Sequence, residues 1–440
     1  YLSGIHWITH SLTFDQNLKF LIPIALIIIP LFLSLFFSVT ILVVASYLNL
    51  NLHSILIFSG AFAFSDFVRS KILTGFPWNL WAYSFSWATE VIQILSVMGL
   101  FAFNLLIITL FTLPAVLFFK TKKNVKIITF LIIFLTFFIL YMFGNYSINQ
   151  NKIFLKSQSD KFNVKVVSPN LDLRYNLSTS EIEDRLKKLV RYSEPNIKTK
   201  TLFIWPEGPF SGYSYDEVSN LKKIIQNHFG DNNFIIFGIN SLNKEKDLYY
   251  NSLVLINNKF EIIKRYNKQK LVPFGEFLPL EKYFKNIGLK KVTEGHGSFL
   301  KGEDQENIVF DNLNILPLIC YEVIFTKFIQ KADRNTNLII NISEDGWFGN
   351  SIGPNQHFAK AIFRAIEQNS FFIRSANKGI SAIISNKGEV IEKLNMNDAG
   401  NIEFDVPLIK KKYKNTNDLI FFILLFTYLL IYIILKKDEK

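Results

Sequence analysis

Hydrophobic residues are arranged along this chain in two regimes. Towards both ends they run in long blocks, and between these they recur with the short periods of a globular domain. Phe20–Leu48 carries no charge, Val91–Phe119 and Ile127–Met142 are comparable, and Leu52–Phe67 is a weaker block holding Asp66 with Arg69 just beyond. Ile420–Leu435 closes the set. Blocks of this length predict membrane-crossing helices, and Pro23 and Pro30 predict kinks in the first. Lys71–Glu90 is too polar to cross. It gathers Trp78, Trp81, Tyr83, Phe85 and Trp87 around Gly75-Phe76-Pro77, which predicts an aromatic loop at head-group depth. Tyr1–Leu18, with Trp7, reads as a short interfacial segment.

From about Lys156 to Leu408 the pattern changes to strands alternating with helices. Strands are predicted at Asn163–Ser168, Thr201–Trp205, Asn233–Ile239, Tyr249–Ile256, Ile315–Ile319, Asn337–Ile342, Phe371–Ser375 and Ile380–Ser385. Ser178-Thr179-Ser180-Glu181 is a capping box, with Ile182, Leu186, Leu189 and Val190 behind it on one face. Ser214-Tyr215-Asp216-Glu217 repeats the device ahead of Val218, Leu221 and Ile225, with Gly230 as the stop, and Pro354–Asn369 is a third helix. The alternation predicts an α/β domain whose sheet is covered by helices. Neither GxGxxG nor GxxxxGK[ST] occurs, so no phosphate loop is expected.

Composition agrees with this division. Half of the 440 residues are hydrophobic, 45 of them Phe, and the mean hydropathy of +0.23 is high for a soluble protein. A membrane bundle with a large extramembrane domain is the expectation. The net charge of +12 comes from scattered lysine pairs rather than a basic helix. That argues against nucleic acid and for contact with anionic lipid. Lys120, Lys122, Lys123 and Lys126 precede the fourth span, and Lys436, Lys437 and Lys440 follow the fifth. Both clusters are cytoplasmic only if Gly144–Asp418 lies on the other side; Lys410–Lys414, also basic, opposes that reading. Histidines are dispersed, His6 and His10 lack an acidic or thiol neighbour, and no HExxH occurs, so no metal is expected.

Candidate chemistry centres on Cys320, the only cysteine. It ends the apolar run Asn314–Ile319 and is followed by Tyr321-Glu322. A thiol at the end of a core strand is either a small buried hydrophobe or a presented nucleophile. Two other stretches favour the nucleophile. Leu202-Phe203-Ile204-Trp205-Pro206-Glu207 is a strand stopped by proline, so that Glu207 projects from the sheet's end. Tyr266-Asn267-Lys268 leads into Leu271-Val272-Pro273-Phe274-Gly275-Glu276, setting an ammonium near a second carboxylate. A carboxylate can take the thiol proton, a fixed ammonium can stabilise an oxyanion, and Glu276 can orient either, which together predict acyl transfer through a thioester. Phe274, Phe277, Leu278, Leu280, Tyr283 and Phe284 either line an acyl groove or pack locally.

The motifs Trp205-Pro206-Glu207, Tyr266-Asn267-Lys268 with Leu271–Pro279, and Ile319–Glu322, in that order, resemble the nitrilase superfamily. Within it they resemble bacterial apolipoprotein N-acyltransferases. Leu73–Trp78, Ser343–Gly349, Ser351–Pro354, Gln356-His357 and Arg364-Ala365 extend the likeness over almost the whole chain. The resemblance implies a nitrilase-like αββα sandwich attached to a multi-span helical bundle, divided as a bundle over residues 1–146, a periplasmic catalytic domain over 156–408 and a last span over 419–436. It implies Glu207 as general base, Lys268 as oxyanion-stabilising lysine and Cys320 as nucleophile. Glu276, Tyr321 and Glu322 match residues that support activity and shape the pocket, and Trp205 and Trp347 are expected there too. The expected reaction moves an acyl chain from a phospholipid, typically phosphatidylethanolamine, to the α-amine of a diacylglyceryl-cysteine apolipoprotein, with no cofactor, as a monomer in the bacterial inner membrane. A membrane-tethered amidase acting on a small amide is the alternative. Two departures stand out: Asn170–Asn176 lacks the family's Trp, leaving Tyr175 as its aromatic, and Glu344 replaces a usual Asn. The family has more spans than are read here, and the others are expected to precede Tyr1.

Overall fold

The computed structural model describes residues 1–279, 298–303, 307–409 and 418–437. Five helical stretches among them are long and apolar enough to cross a membrane: Gln16–Tyr47, Leu52–Lys71, Val91–Phe118, Lys123–Lys156 and Leu419–Lys437. Their α-helical parts are α1 (Ile22–Val44), α2 (Leu52–Lys71), α3 (Leu95–Thr112), α4 (Lys123–Lys156) and, last in the chain, α9 (Leu419–Lys437). Pro23 sits in the first turn of α1, where its missing N–H costs nothing, and Pro30 lies inside the helix. The break falls instead in α3, at Gly99 with φ +74°. A polar lock holds the bundle's domain-facing end. Arg69 Nη2 pairs with Asp66 at 2.7 Å, Asn104 donates to Asp66 at 2.9 Å, and Asn104 Oδ1 accepts from the Ala82 N–H at 3.0 Å.

The aromatic loop after α2 is only partly interfacial. Trp87 is 80% exposed, but Trp78 and Tyr83 are buried against the domain, because Trp78 stacks on His357 and Tyr83 meets the edge of Phe363. The boundary expected at residue 146 falls inside α4, which continues unbroken to Lys156. At this crossing Gly144 touches the Glu90 backbone so closely that a Cβ would lie 1.8 Å from its carbonyl oxygen. Beyond it, Asn151 and Asn386 exchange amide bonds of 2.9 and 2.8 Å.

Among the described residues the domain has twelve strands: β1 (Lys161–Ser168), β2 (Thr201–Ile204), β3 (Asn233–Asn243), β4 (Leu248–Ile256), β5 (Ile262–Asn267), β6 (Ile308–Phe310), β7 (Leu313–Ile319), β8 (Leu338–Glu344), β9 (Phe371–Asn377), β10 (Ser381–Ile384), β11 (Val390–Leu394) and β12 (Gly400–Pro407). They form two six-stranded sheets, ordered β12-β1-β2-β3-β4-β5 and β11-β10-β9-β8-β7-β6. Each has three parallel strands at its centre, β1-β2-β3 and β7-β8-β9, flanked by antiparallel edges. Strand alternation sends Val164, Val166, Leu202, Ile204 and Leu253 inward against Ile315, Ile319, Leu338, Ile340 and Ile373. The opposite faces meet helices. Phe203, Trp205 and Phe237 pack under α5 (Thr179–Ser193) and α6 (Lys222–His228). Leu316, Leu318 and Ile339 pack under α7 (Thr326–Lys331) and α8 (Gly353–Gln368). The result is the expected αββα sandwich. Both capping boxes form, although the second opens a broken run of short turns rather than one helix. The membrane bundle covers the outer side of α8, which is therefore buried almost throughout. β5, β6, β11 and β12 were not foreseen from the sequence pattern.

Candidate active site

Cys320 follows β7 directly and begins a 3-10 turn, Cys320–Ile324, in a left-handed conformation with φ +49°. For a residue bearing a Cβ that geometry costs on the order of 1–3 kcal/mol and needs support from its surroundings. Glu207 follows the end of β2, where Pro206 and Gly208 (φ +67°) turn the chain off the sheet. Lys268 follows β5, its N–H bonded to the Asn251 carbonyl at 2.9 Å. Three strand ends far apart in the chain thus meet at one end of the sandwich.

Lys268 is 1% exposed and lies between two carboxylates. Its Nζ is 2.8 Å from Glu276 Oε1 and 3.3 Å from Glu207 Oε1. Asn251 Nδ2 donates to the same two oxygens at 2.7 and 2.8 Å. The outer oxygens are held by backbone: Glu344 N–H donates to Glu207 Oε2 at 2.9 Å, and Val272 N–H to Glu276 Oε2 at 2.8 Å. Burial disfavours the lysine's charge, but Glu207, Glu276 and the sulfur outweigh it and push its pKa above the usual lysine value. The Cys320 thiol is pushed up by burial first and Glu207 second, against the pull of Lys268. At neutral pH it is therefore a thiol that needs a base, beside a carboxylate and a permanent ammonium.

Glu322 is a staple rather than a wall of the pocket. Its carboxyl accepts from Tyr266 Oη at 3.0 Å and from the N–H groups of Ile319, Gln269 and Lys270 at 2.8, 2.7 and 3.0 Å. It thereby ties the lysine loop to the cysteine turn. Burial raises its pKa to about 7 against those donors. Tyr321 donates to the Gly75 carbonyl at 3.1 Å, joining the cysteine turn to the loop that leaves the membrane. Trp347 is half-buried, its ring between Phe14 at 5.1 Å and Tyr175 at 6.0 Å. Trp205, expected at the pocket, is not there. It lies fully buried in the helix-side core, donating to Ser193 Oγ at 2.9 Å and packed on Phe229 and Phe237. In the phenylalanine-rich loop, Phe274 is 47% exposed and Leu278 is buried, while Leu280, Tyr283 and Phe284 lie outside the described residues. Glu344 accepts from Gly346 N–H and Asn377 Nδ2. Burial, and then the nearby Glu207 and Asp345, raise its pKa well above the carboxylate range. Sequence reasoning gave no role to Asn251, Ser343, Asp345, His357 or Arg374, which surround the site; the only signal was that Ser343–Gly349 and Gln356-His357 are motif positions.

Two helix-covered sheets with a glutamate, a lysine and a cysteine gathered at one end are the build of a carbon–nitrogen hydrolase domain, and the family described as Carbon-nitrogen hydrolase matches residues 175–408. Residues 1–113 match the Apolipoprotein N-acyltransferase N-terminal domain. An apolipoprotein N-acyltransferase of Rickettsia typhi is 31% identical over 98% of this chain and 87% of its own; that of Brucella melitensis is 30% identical over 92% and 77%. Among solved structures, a CN-hydrolase superfamily protein from Xanthomonas campestris covers 56% of this chain and 91% of its own at 15% identity and TM-score 0.40. An amidase from Nesterenkonia sp. covers 56% and 90% at 16% identity and TM-score 0.39. The chain belongs to the apolipoprotein N-acyltransferase family.

Proposed function

We propose that this protein acylates the N-terminal amine of diacylglyceryl-cysteine apolipoproteins, taking the acyl chain from a membrane phospholipid such as phosphatidylethanolamine through a thioester on Cys320. Glu207 takes the thiol proton as the sulfur attacks the ester carbonyl. The C=O π pair moves to oxygen, and the Lys268 ammonium stabilises that oxyanion. The carbonyl then re-forms, the ester C–O bond breaks, and Glu207 returns the proton to the departing lysophospholipid oxygen. In the second half the apolipoprotein amine attacks the thioester and loses a proton to Glu207. The C–S bond breaks, and the sulfur recovers that proton. Glu276 and Asn251 hold Lys268 and Glu207 in register throughout.

The observation that carries this reading is the ammonium of Lys268, fixed at 2.8 and 3.3 Å between two buried carboxylates beside the lone thiol. A bilayer substrate is favoured over a small amide because the cysteine turn is bonded to the loop that leaves α2. The proposed setting is the bacterial inner membrane, with the domain on the periplasmic side. Incubation of the purified protein with phospholipid alone should leave an acyl mass on Cys320 that hydroxylamine releases, and Cys320→Ala should carry none. Absence of the adduct on the intact, folded protein would defeat the proposal.

A further inference from the structure

Behind Cys320 lies a second buried cluster that the reaction above does not use. His357, on α8 and fully buried, places Nε2 3.2 Å from the Cys320 carbonyl oxygen. A carbonyl can only accept, so Nε2 carries the proton. Nδ1 lies 3.0 Å from both Arg374 Nη2 and Asp345 Oδ1, so the far side of the ring is gripped by the same ion pair. Arg374 also grips Asp345, with Nη2 2.9 and 2.7 Å from its two oxygens, and Asp345 Oδ1 accepts from Ser343 Oγ at 2.7 Å. Ser343 stands near enough to the Cys320 thiol to favour its ionised form. One network therefore bonds to the nucleophile at its carbonyl through His357 and passes close to its sulfur at Ser343.

The imidazole is held from the membrane side as well. Its ring lies 5.6 Å from Trp78, near parallel, and 5.3 Å from Phe348. The adjacent Gln356 accepts from Trp78 and Trp7 at 2.7 and 3.0 Å and donates to the Gly4 carbonyl at 3.0 Å. These contacts leave the ring little room to turn. The strained backbone of Cys320 persists only where its surroundings hold it, and the only side-chain donor to its carbonyl among the described residues is His357.

We infer that His357 is a positioning residue: its Nε2–H, with the ring's far side held by Arg374 and Asp345, locks Cys320 in the left-handed conformation that presents the sulfur to Glu207 and Lys268. The inference concerns the nucleophile of the proposed reaction, but its test needs no lipid, so the two fail separately. Iodoacetamide alkylation of Cys320 in the full chain in detergent reads the presentation directly. Alkylation should slow at least tenfold in His357→Leu. It should recover to within about threefold of wild type in His357→Gln, whose amide nitrogen falls where Nε2 does, and not in His357→Asn, whose amide falls at Nδ1. In the acyl-transfer assay kcat should follow the same order while KM for phospholipid stays put. If His357→Leu does not fold, the Gln and Asn variants still decide the matter. Equal alkylation rates in those two, or a folded His357→Leu that alkylates like wild type, would overturn the inference.

Discussion

Glu322 shows how much of this site is held by hydrogen bonds from the surrounding backbone. Its folded pKa of about 7 stands above the ordinary 4.5, with burial as the main cause. The folded state therefore binds a proton that the unfolded chain has released between those two values, and this group's contribution to stability falls as pH rises from about 4.5 to 7, by up to about 1.4 kcal/mol per pH unit. Glu367, also raised to about 7 by burial, contributes with the same sign. Glu322→Gln removes one of the two, so denaturant unfolding over this range should give a shallower slope and a gap to wild type that narrows with rising pH. A slope unchanged by the substitution would mean that Glu322 stays ionised in the fold. At this scale the sequence was readable where a motif ends a strand, as at Glu207, Lys268 and Cys320. It was unreadable where partners arrive from elsewhere: Asn251 from β4, Asp345 from the end of β8, His357 from α8 and Arg374 from β9. Trp205 was misplaced for a related reason. Alternation puts it on the helix face with Phe203, and only the turn at Pro206–Gly208 redirects Glu207 out of that face.

Among the elements, those with long uniform patterns were legible and the edges were not. The five apolar blocks all correspond to helices, and both capping boxes form. β11, largely exposed, and β5, with Lys264 and Arg265 turned to solvent, bury too little apolar surface to announce themselves. β12 does alternate, as Ile402, Phe404 and Val406, but the intervening charges disguised it. The extent of α4 was equally hidden, since its polar second half reads as linker while it packs as helix. Gly144 marks that packing. A methyl there would meet Glu90 O at 1.8 Å, whereas one at Gly400 meets nothing nearer than 3.7 Å. Gly144→Ala must push α4 off the Ala88–Ile94 turns and should cost about 1–3 kcal/mol, read as a lowered melting temperature. Gly400→Ala should melt close to wild type. If the two glycine variants melt alike, α4 is not seated against the loop as described.

For the molecule as a whole, bundle and domain share one core: Leu100, Phe101 and Phe103 from α3 belong to the same buried cluster as Phe363 and Ile366 from α8 and Ile339 from β8. Composition alone divides the chain at this seam because it registers polarity, not contact. The shared core also fixes which end of the bundle is which. α4 leaves the membrane into the domain, and Lys71 at the end of α2 reaches Asp418 at the start of α9 at 3.3 Å. The far end therefore holds the start of α4 and the end of α9, with Lys120, Lys122, Lys123, Lys126, Lys436 and Lys437. At the near end, Arg69, Lys71 and Lys152 face Asp66, Asp418 and Glu389, and Lys410–Lys414 lies outside the described residues. The proposed orientation, with the far-end lysines in the cytoplasm and the domain across the membrane, fixes where introduced thiols should react. In a Cys320→Ala background, a cysteine at exposed Asn232 should react with a membrane-impermeant maleimide in spheroplasts, and one at Lys122 only in inverted vesicles. The reverse pattern would turn the protein over and remove the thiol from the compartment where its proposed acceptors reside.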